Sequence, residues 1–257
     1  MAKDCIRDIQ IAKVDMLRRF SSVCATYGIR WFVDGGTLLG TVRHGAFIPW
    51  DDDIDVSVPR ADYARLCCIP QEDFSPFFMQ WRGSDWQAAR GHMQIRRPDT
   101  TEILMCEMTK HGKAMFTFNQ GLFMDVFPID FIPDGWENGL GDDLWRLKKG
   151  AWDSRANRAT CEALQKEFDD LSGKCNKSGI MHTIAVDFNP SRFTPAECFG
   201  DLVQMRFEGL DVFVPAGYER RLRHLYGDGW KTPQKEPTVH GKTFVDLKHP
   251  YTYYLSS

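Results

Sequence analysis

Residues 49–59 read Pro49-Trp50-Asp51-Asp52-Asp53-Ile54-Asp55-Val56-Ser57-Val58-Pro59, and this stretch decides the fold expected for the chain. Four carboxylates run directly into an apolar, β-branched segment, which predicts a strand. Because side chains alternate along a strand, Asp51, Asp53 and Asp55 are expected to share one face. Asp52 is expected to point away from them. Carboxylates ~7 Å apart repel by ~2 kcal/mol at an effective dielectric of ~20, and a hard divalent cation bound by their oxygens would offset this repulsion.

A solvated turn and a calcium loop fit the acidic run less well than a strand that binds a metal. Charge runs are commonly solvated turns, but here hydrophobic residues flank the run on both sides. An EF-hand calcium loop would need glycine at its sixth position and glutamate at its twelfth. Val56 and Asp62 occupy those positions, so the EF-hand interpretation fails.

A glycine pair lies about twenty residues upstream, between a short apolar strand and a predicted helix. Gly35 and Gly36 allow close approach of a ligand to the backbone, and the N-terminus of the helix attracts phosphate. Thr37 is the expected N-cap and a hydroxyl donor to phosphate. Arg43 and His44, one to two turns further on, would add cationic donors. Neither a Walker A loop nor a dinucleotide fingerprint is present, so the sequence predicts a phosphate-plus-metal site of another kind.

The segments 35–44 and 47–56 together resemble the signature of the LicD family. Segments 121–130 and 215–233 resemble its second acidic strand and its C-terminal signature. This family comprises bacterial phosphocholine transferases related to the fukutin-type ribitol-phosphate transferases. The resemblance implies an α/β (α+β) fold of the nucleotidyltransferase superfamily, with a small mixed β-sheet flanked by helices and a helical C-terminal elaboration.

The resemblance also implies roles for individual carboxylates. Asp53 and Asp55 match the Asp-x-Asp pair that binds metal, and Asp51 is expected to add a ligand directly or through water. Asp125 matches the third carboxylate, which serves as metal ligand or general base. Asp53, Asp55 and Asp125 are therefore the expected catalytic residues. Asp130 is the rival for the third position, but its place beyond a proline predicts that it lies in the following loop.

By the same resemblance, Gly35, Gly36 and Thr37 form the turn that contacts the substrate phosphates, and Arg43 and His44 add cationic donors. The implied cofactor is Mg²⁺ or Mn²⁺. The implied donor is CDP-choline or a CDP-polyol, and the acceptor is a glycan or lipid-linked glycan, as in lipopolysaccharide or teichoic acid modification. Choline would favour an aromatic cage. The candidates for that cage are Trp31, Trp50, Trp81, Trp86 and Phe127.

Three competing functions remain open. A nucleotidyltransferase of the same fold would transfer a nucleotide from ATP or CTP. A glycosyltransferase would use Asp-x-Asp to hold a nucleotide-sugar. A metal- or nucleotide-binding module would lack catalysis, although all three candidate carboxylates are present here.

Bulk properties agree with a cytoplasmic enzyme, with peripheral association at the inner face of a membrane as an open alternative. The chain has 257 residues, 26% charged residues and a net charge of −3. It therefore lacks the excess of basic residues that indicates nucleic-acid binding. Its apolar runs are shorter than the ~18 residues of a membrane span, and the N-terminus lacks the layout of a signal peptide. We expect a single LicD-type domain over 1–257, with a catalytic core over about 28–130 and an elaboration over about 131–257.

Local patterns predict the remaining secondary structure. The expected elements are a helix over 4–27, strands over 30–34, 53–58, 77–81, 92–96 and 121–127, short helices near 37–43 and 60–68, a mainly helical segment over 137–171, a loop region over 172–195, a hairpin around Glu208-Gly209, and a helix over 218–226.

Overall fold

The computed structural model describes residues 6–88, 90–105, 108–109, 112, 117–132, 137–176, 181–184, 193–235 and 243–255, and helices flank the main sheet within these ranges. The helices are α1 (Ile6–Tyr27), α2 (Gly35–His44), α3 (Arg60–Leu66), α4 (Glu137–Asp153), α5 (Arg158–Asn176) and α6 (Tyr218–Tyr226). None of the helices in these ranges is both long enough and apolar enough to span a membrane.

Eleven strands are described, and seven of them form one mixed sheet. The strands are β1 (Phe32–Val33), β2 (Asp55–Pro59), β3 (Phe78–Gln80), β4 (Met93–Arg97), β5 (Thr101–Leu104), β6 (Leu122–Ile132), β7 (Met181–Ile184), β8 (Thr194–Pro195), β9 (Leu202–Phe207), β10 (Leu210–Pro215) and β11 (Thr243–Asp246). The main sheet has the order β1-β2-β6-β4-β3, and β7 joins β6 to β8. Among the described strands of this sheet, β2 and β6 pair in parallel and the other pairs are antiparallel. The predicted mixed sheet flanked by helices is confirmed.

The largest hydrophobic core runs from Ile9 on α1 to Trp230 beyond α6. Helix α1 contributes an apolar stripe with helical spacing, including the fully buried Met16, Leu17 and Phe20. Helices α4 and α5 pack against each other and have a smaller core of their own. Helix α1, the predicted catalytic core over 28–130 and the segment from Phe207 to Trp230 therefore share one hydrophobic core.

Several predicted elements are confirmed with small shifts in their ends. Helix α1 is described over Ile6–Tyr27 and ends before Gly28. Residues 4 and 5 of the predicted helix lie outside the described residues. Strands β9 and β10 form the expected hairpin, with Glu208 at φ 49° and Gly209 at φ 78° in the turn. Positive φ at both central residues suits the right-handed twist of the strands. Helix α6 spans Tyr218–Tyr226, as predicted.

The placement of Asp130 in a loop was wrong. Strand β6 continues through Pro128 to Ile132, because its first half pairs with β2 and β4 and its last residues pair with β7. Asp130 is buried, and Arg60 Nε donates a hydrogen bond to its Oδ1 at 2.6 Å. The guanidinium of Arg60 compensates the buried charge of Asp130. Asp130 therefore has a structural role as the partner of Arg60.

The segment predicted as one helical region contains two helices, α4 and α5, separated at residues 154–157. The predicted loop region over 172–195 is more regular than expected. Helix α5 continues to residue 176, and strands β7 and β8 lie within the region. Residues 177–180 and 185–192 of that prediction lie outside the described residues.

Candidate functional site

The sheet brings two of the predicted carboxylates together. Asp55 is the first residue of β2, and Asp125 is its Cα partner on the parallel neighbour β6. The backbone N–H of Asp125 donates to the carbonyl of Ile54 at 2.9 Å. Two acidic residues from distant parts of the sequence therefore lie side by side where two strands meet.

The acidic residues before β2 do not alternate as predicted. Residues 51–54 have no regular secondary structure, and the N–H of Asp51 donates to the carbonyl of Ile48 at 2.9 Å. One oxygen from each of Asp51, Asp52 and Asp53 lies within 4.8 Å of the others. The prediction that Asp52 points away is wrong, because the strand geometry on which it relied begins only at Asp55.

The predicted helix after the glycine pair is confirmed, but its N-cap is Asp34 and not Thr37. Asp34 Oδ1 accepts a hydrogen bond from the Gly35 N–H at 2.9 Å. Thr37 is buried inside the first turn, and its hydroxyl accepts a hydrogen bond from the N–H of Asp55 at 2.9 Å. Thr37 thus supports the backbone of the acidic segment.

The glycine pair allows the carboxylates to reach the N-terminus of α2. A Cβ atom at Gly35, where φ is +55°, would lie 2.7 Å from Asp55 Oδ2. A Cβ atom at Gly36 would lie 2.5 Å from Asp51 Oδ2. Both distances are shorter than real Cβ contacts, so a side chain at either position would have to displace the neighbouring carboxylate. The positive end of the helix dipole then faces the acidic cluster.

A buried ion pair holds this turn from behind. Asp34 accepts hydrogen bonds from Arg221 Nε to Oδ1 at 3.1 Å and from Ser57 Oγ to Oδ2 at 3.0 Å. Arg221 lies on α6, and the side chains of Asp34 and Arg221 are only 1% and 2% exposed. The C-terminal helix therefore fixes the N-cap of α2, and sequence reasoning missed both residues.

Sequence reasoning also missed Lys13. Its ammonium lies 3.0 Å from Glu102 Oε1 and 3.3 Å from Asp53 Oδ1, and its side chain is fully buried. Burial acts to lower the pKa of Lys13, but the carboxylates of Glu102 and Asp53 outweigh it and raise that pKa. Burial raises the pKa of Glu102 to about 7 despite the opposing effect of Lys13. The available signal was a lysine on the apolar face of α1, which is rarely buried without a partner.

Asp125 is held by two neighbours on and before strand β4. Gln94 Nε2 donates to Asp125 Oδ1 at 2.7 Å, and His92 Nε2 lies 3.1 Å from the same oxygen. The other ring nitrogen of His92 lies 3.1 Å from the carbonyl of Arg90. Burial acts to raise the pKa of Asp125, but the contacts with His92 and Gln94 hold it below its ordinary value.

The pKa values of Asp55 and Asp51, the neighbours of Asp125 in the cluster, are raised rather than lowered. Burial, followed by the charge of Asp125, raises the pKa of Asp55 well above its ordinary value. Burial and the nearby Asp53 raise the pKa of Asp51 to about 6. The cluster offers carboxylate oxygens and an excess of negative charge, which fits a hard divalent cation such as Mg²⁺ or Mn²⁺.

Arg43 and His44 lie at the other end of α2 from the glycine pair, with Arg43 ~12 Å along the helix axis from Gly35. Arg43 Nη1 donates to the carbonyl of Trp230 at 3.1 Å. The structure therefore does not place these two side chains at the glycine turn. Arg43 instead contacts the segment after α6.

A cavity of about 330 Å³ lies between α3, the start of β4, and helices α4 and α5. Its lining includes Tyr63, Trp81, His92 and Phe168. His92 thus contacts both the cavity and Asp125. Among the five aromatic candidates for a choline cage, Trp81 is the one that lines this cavity.

The structure brings together a glycine pair at a helix N-terminus, an Asp-x-Asp sequence entering a strand and a third carboxylate on the adjacent strand. This is the arrangement that the sequence predicted for a nucleotidyltransferase-type site. The family model described as LicD/FKTN/FKRP, nucleotidyltransferase domain, matches residues 28–130. Residues 28–130 therefore match the LicD-type nucleotidyltransferase domain.

Several individual proteins are similar to the chain. The lipopolysaccharide cholinephosphotransferase LicD of Haemophilus influenzae is 28% identical over 274 residues, covering 92% of this chain and 95% of that protein. The ribitol 5-phosphate transferase FKRP of Homo sapiens is 37% identical over 54 residues, or 21% of this chain and 10% of FKRP. An uncharacterised protein of Rickettsia prowazekii, RP689, is 45% identical over 121 residues, or 47% of this chain and 39% of RP689.

Proposed function

We propose that the chain is a metal-dependent phosphotransferase that moves a phospho-substituent from a nucleoside diphosphate conjugate to a hydroxyl group of a glycan. In its specific form, the donor is CDP-choline and the acceptor is a cell-surface polysaccharide or its lipid-linked precursor. The named relatives support this proposal, because the LicD and FKRP proteins are by name a cholinephosphotransferase and a ribitol 5-phosphate transferase. The proposed location is the cytoplasm, including the inner face of a membrane.

One continuous row of contacts carries the proposal. Gly35 contacts Asp55, Asp55 lies beside Asp125, Asp125 contacts His92, and His92 lines the cavity. A substrate with its phosphates at the glycine turn would pass beside Asp55 and Asp125, and its transferred head group would reach the cavity. This order matches a donor with two phosphates between a nucleoside and a transferred head group.

The carboxylates divide into two roles within this proposal. Asp51, Asp53, Asp55 and Asp125 would hold Mg²⁺ or Mn²⁺, which when bound would neutralise charge on the substrate phosphates. Asp125 has a low pKa and suits a permanently ionised ligand. Asp51 would hold the metal through a water molecule, and with a pKa raised to about 6 it is better matched than Asp125 to accepting the proton of an acceptor hydroxyl near neutral pH.

The nature of the donor can be tested by ligand-induced stabilisation. Unfolding is followed with Mg²⁺ and, separately, CDP-choline, CDP-ribitol, CDP-glycerol, ATP, CTP or UDP-glucose. A ligand at ~100 times its dissociation constant adds ~2.7 kcal/mol to the free energy of unfolding. We expect CDP-choline to stabilise the protein most. Selective stabilisation by ATP or UDP-glucose would instead favour nucleotidyl or glycosyl transfer and overturn the proposal.

Turnover gives a second test. Asp53→Asn should abolish Mg²⁺-dependent release of CMP from CDP-choline in the presence of acceptor, because the substitution removes a charged metal ligand. The matched control is Asp62→Asn, which makes the same change at an ion pair with Arg65 outside the cluster. Retained activity in Asp53→Asn would contradict the assignment of the site.

A further inference from the structure

Lys13 occupies a position where helix α1 should be apolar. It lies on the buried face of α1 together with Ile9, Met16 and Leu17. A buried ammonium is costly unless it is paired and hydrogen-bonded. The packing of the helix alone therefore does not account for a lysine at this place.

Two carboxylates share this one ammonium. Glu102 Oε1 lies 3.0 Å from Lys13 Nζ, and Glu102 Oε2 accepts a hydrogen bond from the N–H of Phe123 at 2.9 Å. The ring of Phe123 lies 4.8 Å from the ammonium. Glu102 is thus fixed through both of its oxygens, and it fixes Lys13 in turn.

The second partner of Lys13 differs from the first in its exposure. The side chain of Asp53 is 37% exposed, against 2% for Glu102 and 0% for Lys13. Asp53 is therefore held through Oδ1 from inside the protein while its side chain still reaches the surface. In the same helix, Gln10 Nε2 donates to the carbonyl of Asp51 at 2.7 Å. Helix α1 therefore contacts the acidic segment through two side chains, Gln10 and Lys13.

We propose that Lys13, clamped by Glu102, is a positioning residue that orients Asp53 for metal binding. Partners of this kind orient metal ligands, and their loss typically lowers metal affinity by ~10–100-fold. The inference rests on the proposed function, because it takes Asp53 as a ligand of the metal. Helix α1 lies outside the matched family region of residues 28–130, yet on this view it is part of the metal site.

The obvious variant, Lys13→Met, would leave Glu102 buried without its counter-ion and is prone to unfold. The test therefore uses the full chain with Lys13→Met and Glu102→Gln combined. This double variant removes one charge of each sign, so the net charge near Asp53 stays the same at a pH of about 8, where Glu102 with its pKa of about 7 is ionised. The control is Arg18→Met with Asp15→Asn, which removes an exposed ion pair on the same helix and likewise one charge of each sign.

The readouts are the affinity for Mn²⁺ alone, measured by titration calorimetry, and the urea midpoint of unfolding. We expect the double variant to bind Mn²⁺ ~10–100-fold more weakly, while the control retains the affinity of the wild type. An unchanged affinity in the folded double variant would overturn the inference and leave the proposed function standing. No Mn²⁺ binding by the wild type would overturn both.

If the double variant does not unfold cooperatively, Lys13→Arg decides instead. This variant keeps the charge and the pairing partners but changes the shape of the donor group. A Mn²⁺ affinity lowered by ~10-fold or more supports the positioning role, and an affinity equal to that of the wild type overturns it.

Discussion

Replacing Asp51 by asparagine should stabilise the metal-free protein at neutral pH. Burial and the charge of Asp53 raise the pKa of Asp51 from its ordinary value of 3.8 to about 6. A rise of this size corresponds to ~3 kcal/mol of unfavourable free energy for the ionised form. The side chain is only partly buried, so solvent screening reduces the expected gain to ~1–3 kcal/mol.

The effect should depend on pH in a defined direction. Because the folded-state pKa of about 6 lies above the unfolded-state value of 3.8, the folded protein binds more protons between those two values. Its stability therefore falls as pH rises through that window. Asp51→Asn removes this contribution. The difference in free energy of unfolding between variant and wild type should be near zero at the lower end of the window and reach its full value above the upper end.

Urea unfolding in EDTA, followed by tryptophan fluorescence from about pH 4 to about pH 7.5, measures this difference across the window. Asp62→Asn makes the same chemical change outside the cluster and should alter stability by ~0.5 kcal/mol or less. If Asp51→Asn is as stable as the wild type at neutral pH, or less stable, the assigned electrostatic strain at Asp51 is refuted. Added Mn²⁺ should stabilise the wild type more than the variant, because the variant lacks one ligand oxygen charge.

Two further substitutions probe the glycine turn. Arg221→Met should lower the free energy of unfolding by ~3–5 kcal/mol, since it leaves Asp34 buried without its counter-ion; urea unfolding measures the loss. Gly36→Ala should weaken Mn²⁺ binding in calorimetry by ~10-fold or more, because the added Cβ would lie 2.5 Å from Asp51 Oδ2 and displace that carboxylate.

Matched controls separate these effects from general damage. Arg220→Met removes an exposed ion pair with Glu197 from the same helix as Arg221 and should cost ~1 kcal/mol or less. Gly173→Ala adds a Cβ where no atom lies within 4 Å and should leave Mn²⁺ affinity unchanged. A small loss in Arg221→Met, or an unchanged Mn²⁺ affinity in Gly36→Ala, would contradict the described support of the turn.

The parts of the site that follow from local sequence were predictable. The glycine pair, the acidic segment and the strand that carries Asp125 are each encoded within a few residues, and the sheet brings Asp55 and Asp125 together as the resemblance to the LicD family implies. The prediction failed where strand geometry was extended too far, at Asp52, and where a proline was taken as the end of β6 before Asp130.

The supporting charges were not predictable because they come from distant parts of the chain. Lys13 meets Asp53 across 40 positions and Glu102 across 89. Arg221 meets Asp34 across 187 positions. A single sequence shows a lysine and an arginine within amphipathic helices, where an exposed location is the ordinary expectation. Only the tertiary structure shows which carboxylates they reach.

The ion pair between Asp34 and Arg221 makes the folding of the glycine turn depend on the C-terminal helix α6. The glycine turn is translated early, but its N-cap remains a carboxylate without this counter-ion until α6 has left the ribosome and packed. The region matched by the family model, residues 28–130, contains neither Arg221 nor Lys13. A protein reduced to that region would keep the acidic residues and lose the two cations that hold them in place.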